Sequence, residues 1–190
     1  GMLGKARKVF DELPKRNVVS WNVLMVRYTQ CGLSDEALNC FKQMRDEGIS
    51  PNAITFACIL KACGSIGALE IGEEIHAEVS ERRLLGNDIV LGTALVDMYA
   101  KCAQLEKAQD VFDKLSARDV ASWCALIAGY AQYGFANEAL NCFNKMRGEG
   151  FVPDSVTFIC ILKACSSIRS LERGEEIHAE VRKRGLLEQN

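Results

Sequence analysis

The chain repeats itself, and this feature limits the folds open to it more than any other. A shift of 102 residues places segment 18–88 on segment 120–190, with more than half of the aligned positions identical. The eight-residue sequence GEEIHAEV occurs at 72–79 and again, unchanged, at 174–181. Self-similarity on this scale is typical of repeat proteins, in which each unit is a small piece of supersecondary structure and neighbouring units stack.

A shorter period lies inside the long one. Its units are 35, 36, 31, 35 and 36 residues long, and residues 1–17 match the second half of the 31-residue unit. Periods of this length are typical of repeats that consist of two helices. The chain therefore holds half a unit and then five whole units, with these boundaries: 1–17, 18–52, 53–88, 89–119, 120–154 and 155–190.

Each unit contains two helical patterns of apolar residues. In the first pattern, four residues share one face of a helix because they are spaced i, i+3, i+4 and i+7: Trp21, Leu24, Met25 and Tyr28. The second pattern begins with a small residue and includes Phe41. A helix pair this short cannot cover its own apolar faces, so neighbouring units must stack. The sequence predicts an all-α fold, a right-handed α-solenoid of helix-turn-helix repeats.

Composition excludes several classes of protein. The formal net charge is −2, which rules out a strongly basic nucleic-acid binder, although recognition of single strands needs only local positive charge. No apolar run approaches the roughly 20 residues that span a bilayer, and no targeting segment is recognisable. We expect no membrane association, no cofactor and no small-molecule substrate.

Cysteine and histidine patterns do not predict a metal site or a catalytic residue. The nine cysteines include no C-x-x-C pair, so reduced cysteines packed as small apolar residues fit best, which favours an intracellular or organellar interior. H-x-E starts at His76 and again at His178, and it matches the first half of the zinc deaminase motif. The second half, P-C-x-x-C, is absent, and both histidines occupy the unit position that holds Phe41 elsewhere. We therefore expect both to be packing residues.

The repeat motifs resemble a known family. V-x-[ST]-W-x-x-L-I-x-x-Y stands at 120–130, and E-A-L-x-x-F-x-x-M-x-x-x-G-x-x-P-[ND] stands at 36–52. Both are similar to the pentatricopeptide repeat family. The unit lengths resemble those of its plant-organelle PLS subfamily, and ALVDMYAKC at 94–102 resembles its S repeat. The resemblance implies P repeats at 18–52 and 120–154, L repeats at 53–88 and 155–190, an S repeat at 89–119, and the second half of an S repeat at 1–17.

The resemblance also implies a function. Proteins of this kind bind single-stranded RNA at one base per repeat, as specificity factors for RNA editing or processing in mitochondria or chloroplasts, and the repeats themselves are not enzymes. The fifth and last residues of a unit select the base, and the second residue packs against it. In this sequence the fifth/last pairs are Asn22/Asn52, Ala57/Asp88, Thr93/Asp119, Cys124/Asp154 and Ile159/Asn190, and the second residues are Val19, Ile54, Val90, Ala121 and Val156.

The fifth position follows the core aromatic of the first helix, so we expect it to lie off the packed stripe and to reach a groove. By the family's rule, the Asn/Asn pair of unit 18–52 favours a pyrimidine and the Thr/Asp pair of unit 89–119 favours guanine. The other three pairs carry Ala, Cys or Ile at the fifth position, which offers no good partner for a base edge. We expect these three units to discriminate little between RNA bases.

Three lysines are candidates for contacts with RNA phosphates. Lys61 and Lys163 lie four residues after the fifth position of their units, one helical turn along the same face, and Lys101 lies eight residues after Thr93. The alternative is that all three are solvated surface residues.

A second class of function stays open at this stage. Solenoids commonly bind proteins, and the negative net charge favours a protein-interaction scaffold. The family resemblance implies small accessory editing proteins of the MORF/RIP type as partners, bound chiefly through the L repeats. The units at both ends leave apolar stacking faces uncovered, so we also expect head-to-tail self-association.

Overall fold

The computed structural model describes residues 2–86 and 88–185, and those residues form α-helices joined by short turns, with no β-strand among them. In chain order the helices are α1 Met2–Asp11, α2 Val18–Gln30, α3 Ser34–Asp46, α4 Ala53–Ile66, α5 Leu69–Glu81, α6 Ile89–Lys101, α7 Leu105–Asp113, α8 Val120–Gln132, α9 Ala136–Gly148, α10 Ser155–Ser167 and α11 Leu171–Lys183, and a 3₁₀ turn at Leu84–Gly86 precedes α6. The first helix of every whole unit begins at the first residue of that unit. No helix in the described part of the chain is long and apolar enough to cross a membrane.

Each first helix begins where it does because the residue before it is Asn or Asp. The side-chain oxygen of that residue accepts a hydrogen bond from the backbone N–H three residues later, at distances between 2.7 and 3.0 Å. The capping residues are Asn17, Asn52, Asp88, Asp119 and Asp154. Such a cap stabilises a helix by about 1 kcal/mol. The last residue of a unit is therefore also the start signal for the helix of the next unit.

The helices form two layers. The first helices α2, α4, α6, α8 and α10 make a continuous row in which each contacts the next. The second helices α3, α5, α7 and α9 each pack against the first helix of their own unit and against that of the following unit. The apolar core lies between the layers and runs the length of the molecule. This confirms the all-α solenoid predicted from the sequence.

Aromatic pairs join one unit to the next. Phe10 and Trp21 meet edge to face with ring centroids 4.5 Å apart, and Phe112 and Trp123 repeat the contact at 4.6 Å. Both tryptophans are buried. The guanidinium of Arg118 lies 4.7 Å from the Phe112 ring, where it covers the outer edge of the junction. Edge-to-face pairs and cation–π contacts each contribute about 0.5–1.5 kcal/mol beyond the area they bury.

A glycine lies at one close approach between neighbouring units. At the start of α5, a Cβ added to Gly72 would lie 2.6 Å from Sδ of Met98 in the next unit, so α5 and α6 approach closely. Nearby, Nδ1 of His76 and the hydroxyl oxygen of Tyr99 are hydrogen-bonded at 2.8 Å. Burial lowers the pKa of His76, so its ring is neutral at physiological pH. The prediction that this histidine is a packing residue therefore agrees with the structure.

The same prediction is wrong for His178. Its side chain is exposed, although its sequence surroundings match those of His76. The reason is that α6 covers His76, whereas no helix in the described part of the chain lies over this face of α11. Identical local sequence thus has different burial in the two copies because burial depends on the following unit.

We predict that Phe112→Ala lowers the free energy of unfolding by about 3–5 kcal/mol, because it removes the aromatic that closes the junction and leaves a cavity. Val90→Ala in the same unit is the control: that side chain is 69% exposed, so its loss should change stability by less than about 0.5 kcal/mol. Chemical denaturation followed by circular dichroism measures both. Equal losses in the two variants would contradict the role given to the junction.

Candidate functional site

A groove runs along the row of first helices. It encloses about 720 Å³ and draws side chains from α2, α4, α6, α8 and the start of α10. The three middle units contribute residues from equivalent positions of their first helices, whereas α2 contributes only later positions and α10 only its second position. The lining residues are Val26, Thr29, Gln30, Ile54, Ala57, Cys58, Lys61, Val90, Thr93, Ala94, Asp97, Lys101, Ala121, Cys124, Ala125, Ala128, Asp154 and Val156.

Large apolar side chains stand exposed at the second position of four units. The exposed fractions are 64% for Val19, 62% for Ile54, 69% for Val90 and 55% for Val156. Ala121 occupies the position in the remaining unit and is also exposed. All of these except Val19 line the groove. A regular row of exposed aliphatic side chains is typical of a binding surface rather than of a surface adapted to water alone.

The first fifth/last pair is joined by a direct hydrogen bond. Nδ2 of Asn22 donates to Oδ1 of Asn52 at 3.1 Å, and the hydroxyl of Thr55 donates to Oδ1 of Asn22 at 2.7 Å. Asn22 is only 6% exposed, so the expectation that every fifth residue lies off the packed stripe is wrong here. The cause is the cap of α4, which brings Asn52 and Thr55 over the Asn22 amide.

Two further pairs meet in the same way. The hydroxyl of Thr93 donates to Oδ1 of Asp119 at 3.4 Å, and the thiol of Cys124 donates to Oδ1 of Asp154 at 3.3 Å. Both fifth residues are half-buried and line the groove. In these three units the last residue thus lies beside the fifth residue because it caps the neighbouring first helix.

Hydrogen bonding fixes the protonation of the Cys124–Asp154 pair. Burial raises the pKa of the Cys124 thiol to about 12, so it remains a donor. Burial alone would raise the pKa of Asp154, but hydrogen bonds from the backbone and hydroxyl of Thr157 and from Cys124 outweigh it and lower that pKa. The carboxylate is therefore ionised at neutral pH, and it contributes acceptor oxygens and a negative charge to the groove.

The remaining two pairs lack such a contact. Ala57 lines the groove and is half-buried, but it has no group to hydrogen-bond, and Asp88 accepts from the backbone N–H of Leu91 at 3.0 Å as the cap of α6. Ile159 is 53% exposed and is not part of the groove lining, while Asn190 lies outside the described residues.

The three candidate lysines differ in their surroundings. Lys61 lines the groove and has no ion-pair partner in the described part of the chain. Lys101 also lines it, but its ammonium is paired with the carboxylate of Asp97 at 2.7 Å. Lys163 is exposed and lies outside the lining. The groove therefore mixes both signs of charge, because Asp97 and Asp154 face it together with the two lysines.

Sequence reasoning missed two threonines that organise the pairs. Thr55 and Thr157, each the third residue of its unit, are buried and hydrogen-bond both members of a fifth/last pair. A signal for them was present in the sequence. Asn or Asp followed three residues later by Ser or Thr marks the start of a capped helix, and that pattern precedes α4 and α10.

These features define a class: a helical-repeat protein with a groove along its first helices. Comparison of the sequence with known protein families identifies its family. The PPR repeat family matches residues 16–65 and 118–167, and the PPR repeat matches residues 93–120. The chain therefore belongs to the PPR, or pentatricopeptide repeat, family.

Relatives with known names come from Arabidopsis thaliana. Putative pentatricopeptide repeat-containing protein At3g28640 is 45% identical over 177 residues, which is 93% of this chain and 35% of the relative. A second, At3g13770, described as mitochondrial, is 41% identical over 184 residues, 97% of this chain and 29% of the relative. A third, At1g08070, described as chloroplastic, is 41% identical over 179 residues, 93% of this chain and 24% of the relative. The chain thus spans about a third or less of the length of these relatives.

Solved structures share the fold. The pentatricopeptide repeat protein PPR10 from maize superimposes with a TM-score of 0.69 at 21% identity, over 96% of this chain and 27% of that protein. PPR10 in complex with an 18-nt psaJ RNA element gives a TM-score of 0.77 at 19% identity, over 93% of this chain and 26% of that protein. At these identities the likeness shows a common solenoid architecture.

We predict that Thr157→Val and Thr55→Val lower stability with different pH dependence. Each removes a hydroxyl whose hydrogen bond contributes about 1 kcal/mol. Because the folded pKa of Asp154 is depressed, its contribution is present above the unfolded pKa and is lost as pH falls through the folded pKa. The loss in Thr157→Val should therefore shrink under acid, whereas the loss in Thr55→Val, which faces the neutral Asn52, should not.

Denaturant unfolding of both variants between neutral pH and about pH 3 measures the difference. This pH range covers the usual titration range of Asp. An NMR titration of Asp154 should show its pKa rising toward the ordinary range in Thr157→Val. An unchanged pKa in that variant would contradict the role of the Thr157 hydroxyl.

Proposed function

We propose that this chain is the single-stranded RNA-binding part of a specificity factor for RNA editing or processing in mitochondria or chloroplasts. It reads about one base per unit and catalyses no reaction itself. In this proposal the P repeats are 18–52 and 120–154, the L repeats are 53–88 and 155–190, and the S repeat is 89–119. Residues 1–17 are the second half of an S repeat.

One observation carries the proposal: the second and fifth residues of the three middle units, 53–88, 89–119 and 120–154, recur along a single groove. In each of them an exposed second residue stands three positions before the fifth residue, and in units 89–119 and 120–154 the last residue of the unit is hydrogen-bonded to the fifth. An aliphatic surface for a base face and a polar pair for its edge are the two elements that one-base-per-repeat readers combine. PPR10, which shares the fold, has been solved with RNA, and relatives are described as mitochondrial or chloroplastic.

The hydrogen bonds already made within the protein suggest which groups are left for the base. Oδ1 of Asn52 accepts from the backbone N–H of Thr55 and from Nδ2 of Asn22, so the Nδ2 group of Asn52 is the free donor, suited to the carbonyl oxygen of a pyrimidine. Asp119 can only accept, because it is a carboxylate. Its second oxygen has no hydrogen-bond donor in the described part of the chain, and it suits the N–H donors on the edge of guanine.

The preferred RNA should therefore read pyrimidine, any base, guanine from 5′ to 3′ across units 18–52, 53–88 and 89–119. Lys61 and Lys101 are the proposed phosphate contacts within the groove, and Lys163 is the one beyond it. Because Lys101 is paired with Asp97, its contribution needs that ion pair to open. We expect modest affinity from these five units alone, since few free cations face the groove.

The alternative is a protein-interaction solenoid, and one observation favours it: carboxylates of Asp97 and Asp154 share the groove lining with the lysines. Partner proteins are part of the proposed function as well. Accessory editing proteins of the MORF/RIP type are proposed to bind the L units, where Ile54 and Ile159 expose more than half of their surface. Binding of such a protein without any RNA binding would favour the scaffold.

We predict that Thr93→Asn moves the preference for the third base from guanine to uracil. The new amide presents a donor and an acceptor to a pyrimidine edge while Asp119 orients it. One well-formed base contact discriminates by about 1–3 kcal/mol, so the preference should change by roughly ten-fold or more. Competition binding on RNAs that differ only at the third base measures the change.

A matched control is Thr29→Asn, which makes the same substitution in the groove wall of α2, away from any fifth position. It should leave the preference for guanine intact. Neither substitution should lower the thermal unfolding midpoint by more than a few degrees, because neither residue is fully buried. A persistent guanine preference in Thr93→Asn would mean that the assignment of the reading positions is wrong.

A further inference from the structure

The first helix of unit 89–119 carries three polar residues in a row along its groove-facing side. Thr93, Asp97 and Lys101 are spaced four residues apart on α6, and all three line the groove. Four residues of an α-helix advance the chain by about 6 Å and return it to nearly the same face. Along α6 the groove therefore presents, in order, the proposed base-reading hydroxyl, a carboxylate and an ammonium group.

The carboxylate is found in this unit alone among the five. Asp97 is the ninth residue of unit 89–119, and at the ninth position the other units have an apolar residue or a lysine: Val26, Lys61, Ala128 and Lys163. A carboxylate in a groove that holds RNA repels the phosphates. Because an ionised carboxylate only accepts hydrogen bonds, any favourable contact that it makes with RNA must be with a donor.

The ion pair that includes Asp97 is held against the neighbouring unit. Oδ2 of Asp97 accepts from Nζ of Lys101 at 2.7 Å. The stem of that lysine lies along α4, since a Cβ added to Gly64 would be 3.2 Å from its Cδ. The Asp97 side chain is 28% exposed, and its Oδ1 has no hydrogen-bond donor within residues 2–86 and 88–185. Oδ1 is therefore open to a ligand in the groove, whether the ion pair is closed or open.

A nucleotide leaves one donor for this oxygen. The donors of single-stranded RNA are the N–H groups of its bases and the 2′-hydroxyl groups of its riboses. In the proposed function the edge of the third base faces Thr93 and Asp119, and a phosphate faces Lys101. The ribose joins base to phosphate, so it passes the residue that lies between these two contacts. That residue is Asp97.

We propose that Asp97 accepts a hydrogen bond from the 2′-hydroxyl of the third nucleotide, and that unit 89–119 thereby selects RNA over single-stranded DNA. This inference rests on the proposed function and adds to it a contact with the sugar. The 2′-hydroxyl is the group by which a protein distinguishes RNA from DNA at a given site. Units 18–52 and 120–154 have Val26 and Ala128 at the ninth position, which offer no side-chain acceptor, so they tolerate deoxyribose.

Fluorescence anisotropy with the labelled RNA UUUCAGUUUU tests the contact, together with copies that carry one 2′-deoxynucleotide at the cytidine, at the guanosine or at the uridine after it. In the wild-type chain, deoxyguanosine should weaken binding by about three- to ten-fold, because one hydrogen bond is lost. The other two substitutions should each weaken binding by less than about two-fold, which is below the effect of one hydrogen bond. A 2′-fluoro guanosine keeps the sugar pucker of RNA but has no donor, so it should behave like deoxyguanosine.

Variants of the ion pair separate a contact with the ribose from a change in charge. Asp97→Ala should abolish the penalty for deoxyguanosine, while guanine remains the preferred third base because Thr93 and Asp119 are unchanged. Asp97→Asn should retain part of the penalty, since its amide oxygen still accepts. Lys101→Ala is the matched control: it breaks the same ion pair and should lower the affinity for every oligonucleotide, but it should leave the penalty in place.

The reverse experiment moves the contact to the next unit. Ala128 lies four residues after Cys124 on α8 and lines the groove at the position equivalent to Asp97. Ala128→Asp should create a penalty of the same kind for deoxyuridine at the fourth nucleotide. Circular dichroism of every variant verifies that the helices are intact.

Two sets of results are distinguishable. If deoxyguanosine binds as tightly as guanosine while guanine is still preferred at the third base, or if Asp97→Ala leaves the penalty unchanged, the contact with the ribose is overturned and the proposed function stands. If the wild-type chain shows neither a preference for guanine nor a penalty for deoxyribose, the proposed function is overturned with it.

Discussion

The structure depends on one constraint: the apolar face of each unit is covered only by the unit beside it. Trp123 is buried because α7 of the preceding unit presents Phe112, and Cys63 is buried because α6 of the following unit lies over it. Stability is therefore gained junction by junction, as expected of a quasi-one-dimensional array.

A second feature links this stacking to the candidate site. In three units the last residue caps the next first helix and is also hydrogen-bonded to the fifth residue of its own unit, as Asp119 is to Thr93 and Asp154 to Cys124. One side chain thus orders a junction and faces the groove. Substitutions at this position change the stability of the helix and any ligand contact together. Substitutions at the fifth position change the ligand contact and leave the helix cap in place.

The charge of the groove indicates how it would hold a nucleic acid. Lys61 is available, Lys101 is engaged with Asp97, and Asp154 is ionised, so phosphate attraction is weak and local. Exposed aliphatic side chains such as Val90 supply most of the surface. Binding of this kind gains its free energy from contact with bases and depends less on salt than that of a basic domain.

The sequence by itself determined the units, the helix starts and the core stripes, because these follow from periodicity and from capping residues that act within a few positions. It also placed the fifth and last residues in pairs through resemblance to the family. Only the tertiary structure decided that Asn22 is buried beneath Asn52 and Thr55, that Lys101 is paired, and that His178 is exposed while His76 is packed. The reason is physical: each of these depends on which neighbouring helix lies over the residue, and identical local sequences have different neighbours in a stack.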